Sequence, residues 1–160
     1  MKPAKPLLLV VGLSSLAMLA VGLYLQLVLD MLPCPLCVLQ RYAFAAVVLI
    51  CLVSLILPTT GVRMAAALAS VASLTGAGIA IRHLWAKAHP TVSCGIDPLE
   101  TSLNKTWLAQ SLPTLFQADG LCTTEYEPIL GLSIPQWALI WFLIFALITA
   151  AVAVRKRLSA

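Results

Sequence analysis

The chain of 160 residues is long enough for one domain, but its composition excludes an ordinary water-soluble one. Hydrophobic residues make up 61% of it, charged residues make up 10%, and the mean hydropathy is +1.01. The net charge of +4 could indicate a nucleic-acid partner, but the basic residues stand mostly at the ends of apolar runs, where they direct membrane topology. We therefore expect an integral membrane protein that contacts membrane lipid and binds no nucleic acid.

The first apolar run covers residues 7–29 and follows Lys2 and Lys5. A cleaved signal peptide is the competing interpretation. The run is long for the apolar part of a signal peptide, and it is followed by Asp30 and a cysteine pair instead of a small-residue cleavage site. Since about 20 apolar residues suffice to cross a bilayer, we expect a retained transmembrane helix.

Three further apolar runs predict transmembrane helices at residues 38–57, 64–81 and 135–154. The second and third runs are separated by a tight turn at Pro58 and Gly61, so they should form an antiparallel pair. The third run is rich in Ala, Ser and Gly, which is typical of helices that pack closely in membranes. The predicted fold is an all-α membrane protein, a four-helix transmembrane bundle that forms a single domain over residues 1–160.

Residues 82–133 form a long polar stretch between the third and fourth runs. It contains two cysteines, four prolines and most of the acidic residues. Between Leu99 and Phe116, polar residues alternate with leucines and aromatic residues, which predicts a short amphipathic helix lying on the membrane surface. An ordinary loop with apolar anchor residues is the alternative.

The charged residues predict how the bundle is oriented. In a four-helix layout one side carries basic residues and no acidic one, and all six acidic residues fall on the other side. The basic residues of the first side are Lys2, Lys5, Arg63, Arg155, Lys156 and Arg157. We therefore expect both termini in the cytoplasm and the long loop on the opposite side of the membrane, which in a bacterium is the periplasm, an oxidising space.

Four of the five cysteines fall on the predicted periplasmic side. Cys34 and Cys37 form a Cys-x-x-Cys motif before the second run, while Cys94 and Cys122 lie in the long loop. A bond between the two loop cysteines could staple the loop, but a bond within the Cys-x-x-Cys motif closes too short a ring to stabilise much. Redox exchange explains the short pair better, and an all-thiolate zinc site remains an alternative.

Two residues outside the cysteine pairs are candidates for the same chemistry. Arg41 lies one helical turn beyond Cys37, where a fixed positive charge favours a thiolate; snorkelling to the membrane interface is its alternative role. His83 follows Arg82 at the outer end of the third run, level with the Cys34 region, and could instead be simply solvated there. Cys51 lies among apolar residues and is expected to be an inert hydrophobe.

Two thiol pairs on one side of a membrane suggest an electron relay. The loop pair would oxidise a soluble thiol protein, and the pair near the bilayer would reoxidise the loop pair. The sequence has no dinucleotide-binding glycine motif, and Val38 instead of a haem-attachment His follows Cys37. A membrane quinone at Cys37, with Arg41 to stabilise its reduced oxygen, is the acceptor most consistent with this layout.

The chain resembles the disulfide bond formation protein B (DsbB) family, the quinone-dependent oxidants of periplasmic DsbA. The resemblance covers nearly the whole chain, in the right order and with the right number of helices. Its motifs are Cys34-Pro35-Leu36-Cys37 followed by Gln40-Arg41, then Arg82-His83, Gly120-Leu121-Cys122 and Gly131-Leu132-Ser133-Ile134-Pro135-Gln136-Trp137. Gln40 stands where some relatives carry an acid, and we expect little effect from this difference.

The resemblance implies a thiol:quinone oxidoreductase that uses ubiquinone or menaquinone and reoxidises a periplasmic DsbA-like protein of thioredoxin fold. It implies that Cys94 forms the mixed disulfide with that partner and that Cys122 pairs with Cys94. Cys37 would face the quinone, and Cys34 would exchange with the loop pair. The resemblance also implies that Arg41 assists the step between thiolate and quinone, that His83 lines the quinone site, and that no metal is required.

Two other functions are compatible with some of these features. Proteins resembling vitamin K epoxide reductase are also helical and carry a Cys-x-x-Cys motif, but their motif lies near the last helix. A metal-binding membrane protein that uses the four thiols is the non-enzymatic alternative.

Overall fold

The computed structural model describes residues 4–89, 98–122, 124 and 126–154. Within these residues there are seven helices: α1 (Ala4–Val28), α2 (Pro35–Ser54), α3 (Thr59–Ala88), α4 (Pro98–Asn104), α5 (Trp107–Ser111), α6 (Pro113–Phe116) and α7 (Ile134–Val154). Four of them, α1, α2, α3 and α7, are long and apolar enough to cross a membrane. The predicted all-α fold with four transmembrane helices is therefore confirmed.

Helix α3 differs most from its predicted extent, since it runs over Thr59–Ala88 instead of residues 64–81. At its C-terminal end the helix continues through His83 and Lys87, which the sequence placed at the start of the loop. The helix can continue because His83 and Ala86 are buried against the start of α2, so this turn belongs to the bundle. The long polar loop consequently begins later than predicted.

Helix α2 begins at Pro35, three residues before the predicted start. Cys34 is its N-cap residue, and Pro35 occupies the first turn, where the missing proline N–H leaves no hydrogen bond unmade. The Cys-x-x-Cys motif is thus part of the helix start and is not a separate turn.

The middle of the bundle is packed with apolar side chains. Helix α3 packs along α2 and α7, and α1 packs mainly along α2. Phe142 of α7 stacks on Phe44 of α2 with ring centroids 4.0 Å apart. The Phe142 ring also lies directly over Gly76 of α3, where a Cβ atom would overlap the ring. Gly76 therefore lets α3 and α7 approach closely, as the small residues of the third run predict.

The described residues of the loop between α3 and α7 form three short helices, α4 to α6, in place of one amphipathic helix. The Thr106 side chain caps α5 and Pro113 begins α6, so the chain is interrupted between them. Phe116 is buried and stacks on Tyr42 of α2 at 4.5 Å, whereas Trp107 is 75% exposed. The loop is therefore fixed to the N-terminal half of α2 and exposes apolar side chains on its other face.

Candidate active site

Cys34 and Cys37 lie at the N-terminus of α2. The Cys37 backbone N–H donates a hydrogen bond to the Cys34 sulfur, and the Cys34 thiol donates to the Cys37 sulfur over 3.2 Å. Cys37 lies in the first helical turn, where the positive end of the helix dipole stabilises negative charge. The arrangement therefore assigns the retained proton to Cys34 and the anionic role to Cys37.

The loop reaches this pair through a close backbone contact at Gly120. The N–H groups of Asp119 and Gly120 both donate to the Pro33 carbonyl, each over 3.1 Å. A Cβ atom at residue 120 would overlap the Leu32 carbonyl, so a larger residue would push the two segments apart. Glycine at this position is what lets the following residues of the loop lie against the start of α2.

Cys122 lies beside Cys34 as a result. The two thiols are hydrogen-bonded, and each side chain is 2% exposed. The hydrogen bonds to Cys122 and Cys37, together with burial, raise the pKa of the Cys34 thiol far above its ordinary value. Cys34 therefore stays protonated between two other sulfurs, one from the loop and one from the first turn of α2.

His83 of α3 faces the same sulfurs. Its Nε2 atom is 3.7 Å from the Cys34 sulfur, and its Nδ1 atom is 4.0 Å from the Cys37 sulfur. The Gln40 amide nitrogen is 3.3 Å from Nδ1, and both side chains are only 4% exposed. The imidazole is therefore buried in the thiol cluster, and the alternative of a solvated His83 does not describe this structure.

Arg41 is buried and joins three parts of the chain. Its Nη1 atom donates to the Gln26 side-chain oxygen over 2.7 Å and to the Leu115 carbonyl over 3.1 Å. Its Nη2 atom donates to the Gly22 carbonyl over 3.0 Å. The guanidinium is thus fixed by oxygen atoms of α1 and α6, and snorkelling does not describe a side chain that is 8% exposed.

A cavity of about 320 Å³ opens beside these groups, between α1 and α7. Because α1 and α7 make few contacts with each other, the space between them is not filled by packing. Its walls are mostly apolar and include Leu25 of α1 and Trp141 of α7, while Cys37, Arg41 and His83 line its polar side. This size and this balance of apolar and polar groups are typical of a site for a small organic ligand.

The structure brings together Cys34, Cys37, Cys122, Arg41 and His83 from the predicted set. The remaining predicted site residue, Cys94, lies outside the described residues, as do four of the basic residues used for orientation: Lys2, Arg155, Lys156 and Arg157. Cys51 is fully buried in the apolar core, where a Cβ atom at Gly12 would lie 3.1 Å from it, in agreement with an inert role.

Sequence reasoning missed two glutamines of this site. The Gln26 side-chain oxygen accepts a hydrogen bond from Arg41, and the Gln40 amide lies within hydrogen-bond distance of His83. Both carried a usable signal, because a lone amide within an apolar transmembrane run seldom occurs without a polar partner. Gln40 also follows Cys37 by three residues, which places both on one face of the helix.

Comparison with known proteins assigns the family. A family model described as "Disulfide bond formation protein DsbB" matches residues 4–152. A protein of Herminiimonas arsenicoxydans named "Disulfide bond formation protein B" is 63% identical over 157 residues, which cover 98% of this chain and 99% of that protein. A protein of Pseudomonas syringae pv. syringae named "Disulfide bond formation protein B 1" is 42% identical over 154 residues, which cover 96% of this chain and 91% of that protein.

Proposed function

Because this chain belongs to the disulfide bond formation protein B family of thiol–disulfide oxidoreductases, we propose that it reoxidises a periplasmic DsbA-like protein and passes the electrons to membrane quinone. It is a multi-pass membrane protein. The observation that carries the proposal is the unbroken contact from Cys122 through Cys34 to Cys37, which ends at the wall of the cavity.

The first exchange uses the loop pair as a Cys94–Cys122 disulfide. A thiolate of the reduced partner attacks Cys94, which forms a mixed disulfide and releases the sulfur of Cys122. The second partner thiol then displaces Cys94, so the partner leaves as a disulfide. The loop pair has then gained two electrons and two protons.

The second exchange passes these electrons to the pair at α2. The Cys122 thiolate attacks Cys34 of a Cys34–Cys37 disulfide, and Cys37 leaves as a thiolate. Cys94 then attacks Cys122, which restores the loop disulfide and leaves Cys34 as a thiol. The contact between Cys122 and Cys34 supports this order, and the N-terminal turn of α2 stabilises the leaving Cys37 thiolate.

The residues around the cavity fit a quinone ring. When bound, ubiquinone or menaquinone would supply the acceptor for two electrons and two protons. Cys37, Arg41 and His83 would hold its polar oxygens, and the apolar wall between α1 and α7 would hold the ring and exclude water. Arg41 keeps a positive charge at this wall because carbonyl and amide oxygens fix its guanidinium, and His83 can hold or release a proton beside Cys37.

Basic residues at the opposite end of the bundle support a cytoplasmic side there. Lys5 donates to the Leu55 carbonyl over 2.7 Å, and Arg63 donates to the Ala153 carbonyl over 3.1 Å, both at helix ends far from the thiols. By the positive-inside rule, this end faces the cytoplasm of a bacterium and the thiols face the periplasm, with the protein in the inner membrane.

The outward apolar side chains of the loop support contact with the membrane surface. Trp107 is 75% exposed and Leu112 is 49% exposed, while Phe116 on the other side of the loop is buried against α2. An interfacial position would bury the outward side chains in the headgroup region, where tryptophan is favoured.

A substitution of Cys94 tests the order of the relay. We expect Cys94→Ser to abolish oxidation of a reduced DsbA-like protein, because the mixed disulfide cannot form. Quinone reduction driven by dithiothreitol should persist, because Cys34 and Cys37 remain. Cys51→Ala is the matched control and should retain both activities. Unchanged oxidation of the DsbA-like protein by Cys94→Ser would remove Cys94 from the relay.

A further inference from the structure

The thiol cluster has the donor atoms of a metal site as well as those of a redox site. The sulfurs of Cys34 and Cys37 and one imidazole nitrogen of His83 all lie within 4.8 Å of one another. The two sulfurs are 3.2 Å apart, and the Cys34 sulfur is 3.7 Å from Nε2 of His83. Two thiol sulfurs and an imidazole nitrogen this close together match the ligands of zinc sites.

The spacing is close to that of a tetrahedral ion. With Zn–S bonds of about 2.3 Å and Zn–N bonds of about 2.0 Å, tetrahedral angles place two sulfurs about 3.8 Å apart and a sulfur and a nitrogen about 3.5 Å apart. The distance of 3.7 Å between the Cys34 sulfur and Nε2 of His83 is already close to this value. The two sulfurs, now 3.2 Å apart, need to separate by a fraction of an ångström, and the Cys37 sulfur must approach Nε2. Rotation of the Cys37 side chain at the first turn of α2 is enough for this.

Gln40 supplies the outer contact that a metal-bound histidine usually has. Its amide lies 3.3 Å from Nδ1 of His83, on the side of the ring away from Cys34. A half-turn of the amide presents its carbonyl oxygen to an Nδ1–H group, which directs the Nε2 lone pair towards the Cys34 sulfur. Since Gln40 is 4% exposed, this contact is held in place by packing.

We propose that the reduced cysteine pair together with His83 binds one thiophilic divalent cation such as Zn²⁺. Binding converts the thiols of Cys34 and Cys37 to metal-bound thiolates and releases two protons to solvent. Water, or Cys122 beside Cys34, completes the four ligands from the cavity. The ion is a competitor of disulfide exchange and not a cofactor of it, because both use the same sulfurs.

The oxidation state of the pair controls this site. A disulfide between Cys34 and Cys37 consumes both thiolates, and the single histidine that remains is a weak ligand. Zinc therefore binds only enzyme that has accepted electrons and has not yet passed them on. A cell lacking a usable quinone would hold the enzyme in this reduced, metal-binding form.

Zinc titration of the purified full-length protein tests the proposal in the absence of quinone and of any DsbA-like protein. We expect the reduced protein to bind one Zn²⁺ per chain in competition with a chromophoric chelator. The oxidised protein should bind at least about 100-fold more weakly, since even loss of an outer contact costs 10- to 100-fold. Co²⁺ added to the reduced protein should give the visible spectrum of a tetrahedral site with thiolate ligands.

Matched variants locate the ion. Cys34→Ser and His83→Gln should each weaken binding at least as much as oxidation does, whereas Cys51→Ala and His89→Gln should bind like the unaltered protein. Gln40→Leu should weaken binding about tenfold or more, and Gln40→Glu should restore it, because a carboxylate also accepts from Nδ1–H.

Three results would overturn the proposal: equal affinity of the oxidised and reduced proteins, full affinity after His83→Gln, or no zinc bound by the reduced protein. The comparison of oxidised with reduced protein requires no substitution, so it does not depend on how a variant folds. Because no quinone or partner is present, failure here would leave the oxidoreductase proposal standing. Failure of quinone reduction would likewise leave zinc binding intact.

Discussion

The two ends of the bundle use the same contact, a cation donating to backbone carbonyl oxygens, in different surroundings. At the end without thiols, Lys5 and Arg63 are exposed and donate to carbonyls at the ends of α2 and α7. At the thiol end, Arg41 is buried and donates to carbonyls of α1 and α6. Water can replace an exposed cation, but it cannot readily replace a buried one. The thiol end therefore depends on its cation far more than the other end does.

The buried polar groups differ in the same way. In the packed middle of the bundle, Ser73 and Thr149 donate to carbonyls of their own helices, and Ser15 of α1 donates to a single carbonyl of α2. At the thiol end, Gln40 and Arg41 of α2 reach groups on other helices and on the loop. Polar groups satisfied within one helix need nothing from their neighbours. Those at the thiol end are satisfied only when α1, α2, α3 and the loop are assembled.

The largest expected effect is that of Arg41→Ala against Arg63→Ala. Loss of Arg41 leaves carbonyl groups of α1 and α6 without a buried donor, so we expect the free energy of unfolding to fall by about 3 kcal/mol. Amide hydrogen exchange in residues 107–118 should increase as the loop detaches from α2. Arg63→Ala should change stability by about 0.5 kcal/mol or less, because Arg63 is exposed.

Urea unfolding in mixed micelles measures the loss of stability, and amide exchange followed by mass spectrometry measures the release of residues 107–118. Arg41→Lys keeps the charge but has fewer donors, so it should fall between Arg41→Ala and the unaltered protein. Equal stability losses for Arg41→Ala and Arg63→Ala would contradict the difference between the two ends.

A second pair of variants separates packing in the middle of the bundle from chemistry at its end. Gly76→Ala places a methyl group against the Phe142 ring and should cost about 1–3 kcal/mol of stability. Gly78→Ala lies on the same helix with open space around it and should be neutral or slightly stabilising. Thermal unfolding compares the two variants. Equal midpoints of thermal unfolding for the two variants would mean that α3 and α7 do not pack as described.

A smaller effect is expected when the loop is shifted away from Cys34. Gly120→Ala places a methyl group against the Leu32 carbonyl and should slow oxidation of a DsbA-like protein about tenfold, equivalent to about 1.4 kcal/mol. Reduction of quinone by dithiothreitol should be nearly unchanged, because Cys34 and Cys37 keep their places. If both rates fell equally, the variant would have damaged the bundle and not the contact with Cys122.

The smallest effect is the dependence of stability on pH. The folded-state pKa of Cys34 is raised, whereas the unfolded chain ionises this thiol near its ordinary pKa of 9.0. Above that pH the unfolded state binds fewer protons than the folded state, so stability falls as pH rises. The reduced protein should lose less than about 1 kcal/mol by pH 9.5 relative to Cys34→Ser. Parallel unfolding curves for the two proteins at all pH values would contradict the raised pKa.

Hydropathy was sufficient to predict the four transmembrane helices, because a run of about 20 apolar residues seldom occurs outside a transmembrane helix. It failed at the outer end of α3, where His83 and Lys87 were taken as the start of a loop. Hydropathy scores each side chain by its own polarity, but burial of His83 depends on Gln40 and the thiols of α2. A polar residue with a partner on another helix can extend a helix beyond its apolar run.

The sequence was enough to select Cys34, Cys37 and Cys122 as candidate site residues. It was only partly enough to select the polar side chains around them. The short spacing of Cys34 and Cys37 identifies the pair by itself. The backbone partners of Arg41 could not be predicted, because any residue offers a carbonyl oxygen, and one of these partners lies 74 residues away along the chain. Gln40 was noted in the sequence only as a difference from some relatives, and its contact with His83 was not predicted. Long-range hydrogen bonds to backbone atoms leave no pattern in the sequence.

The central claim is that electrons leave the protein through Cys37 at the cavity wall. The experiment that tests it most directly measures quinone reduction by the purified protein supplied with a reduced DsbA-like protein. We expect turnover by the unaltered protein and by Cys51→Ala, and loss of turnover in Cys37→Ser. Turnover that persists in Cys37→Ser, or no turnover of folded protein with either ubiquinone or menaquinone analogues, would contradict the account.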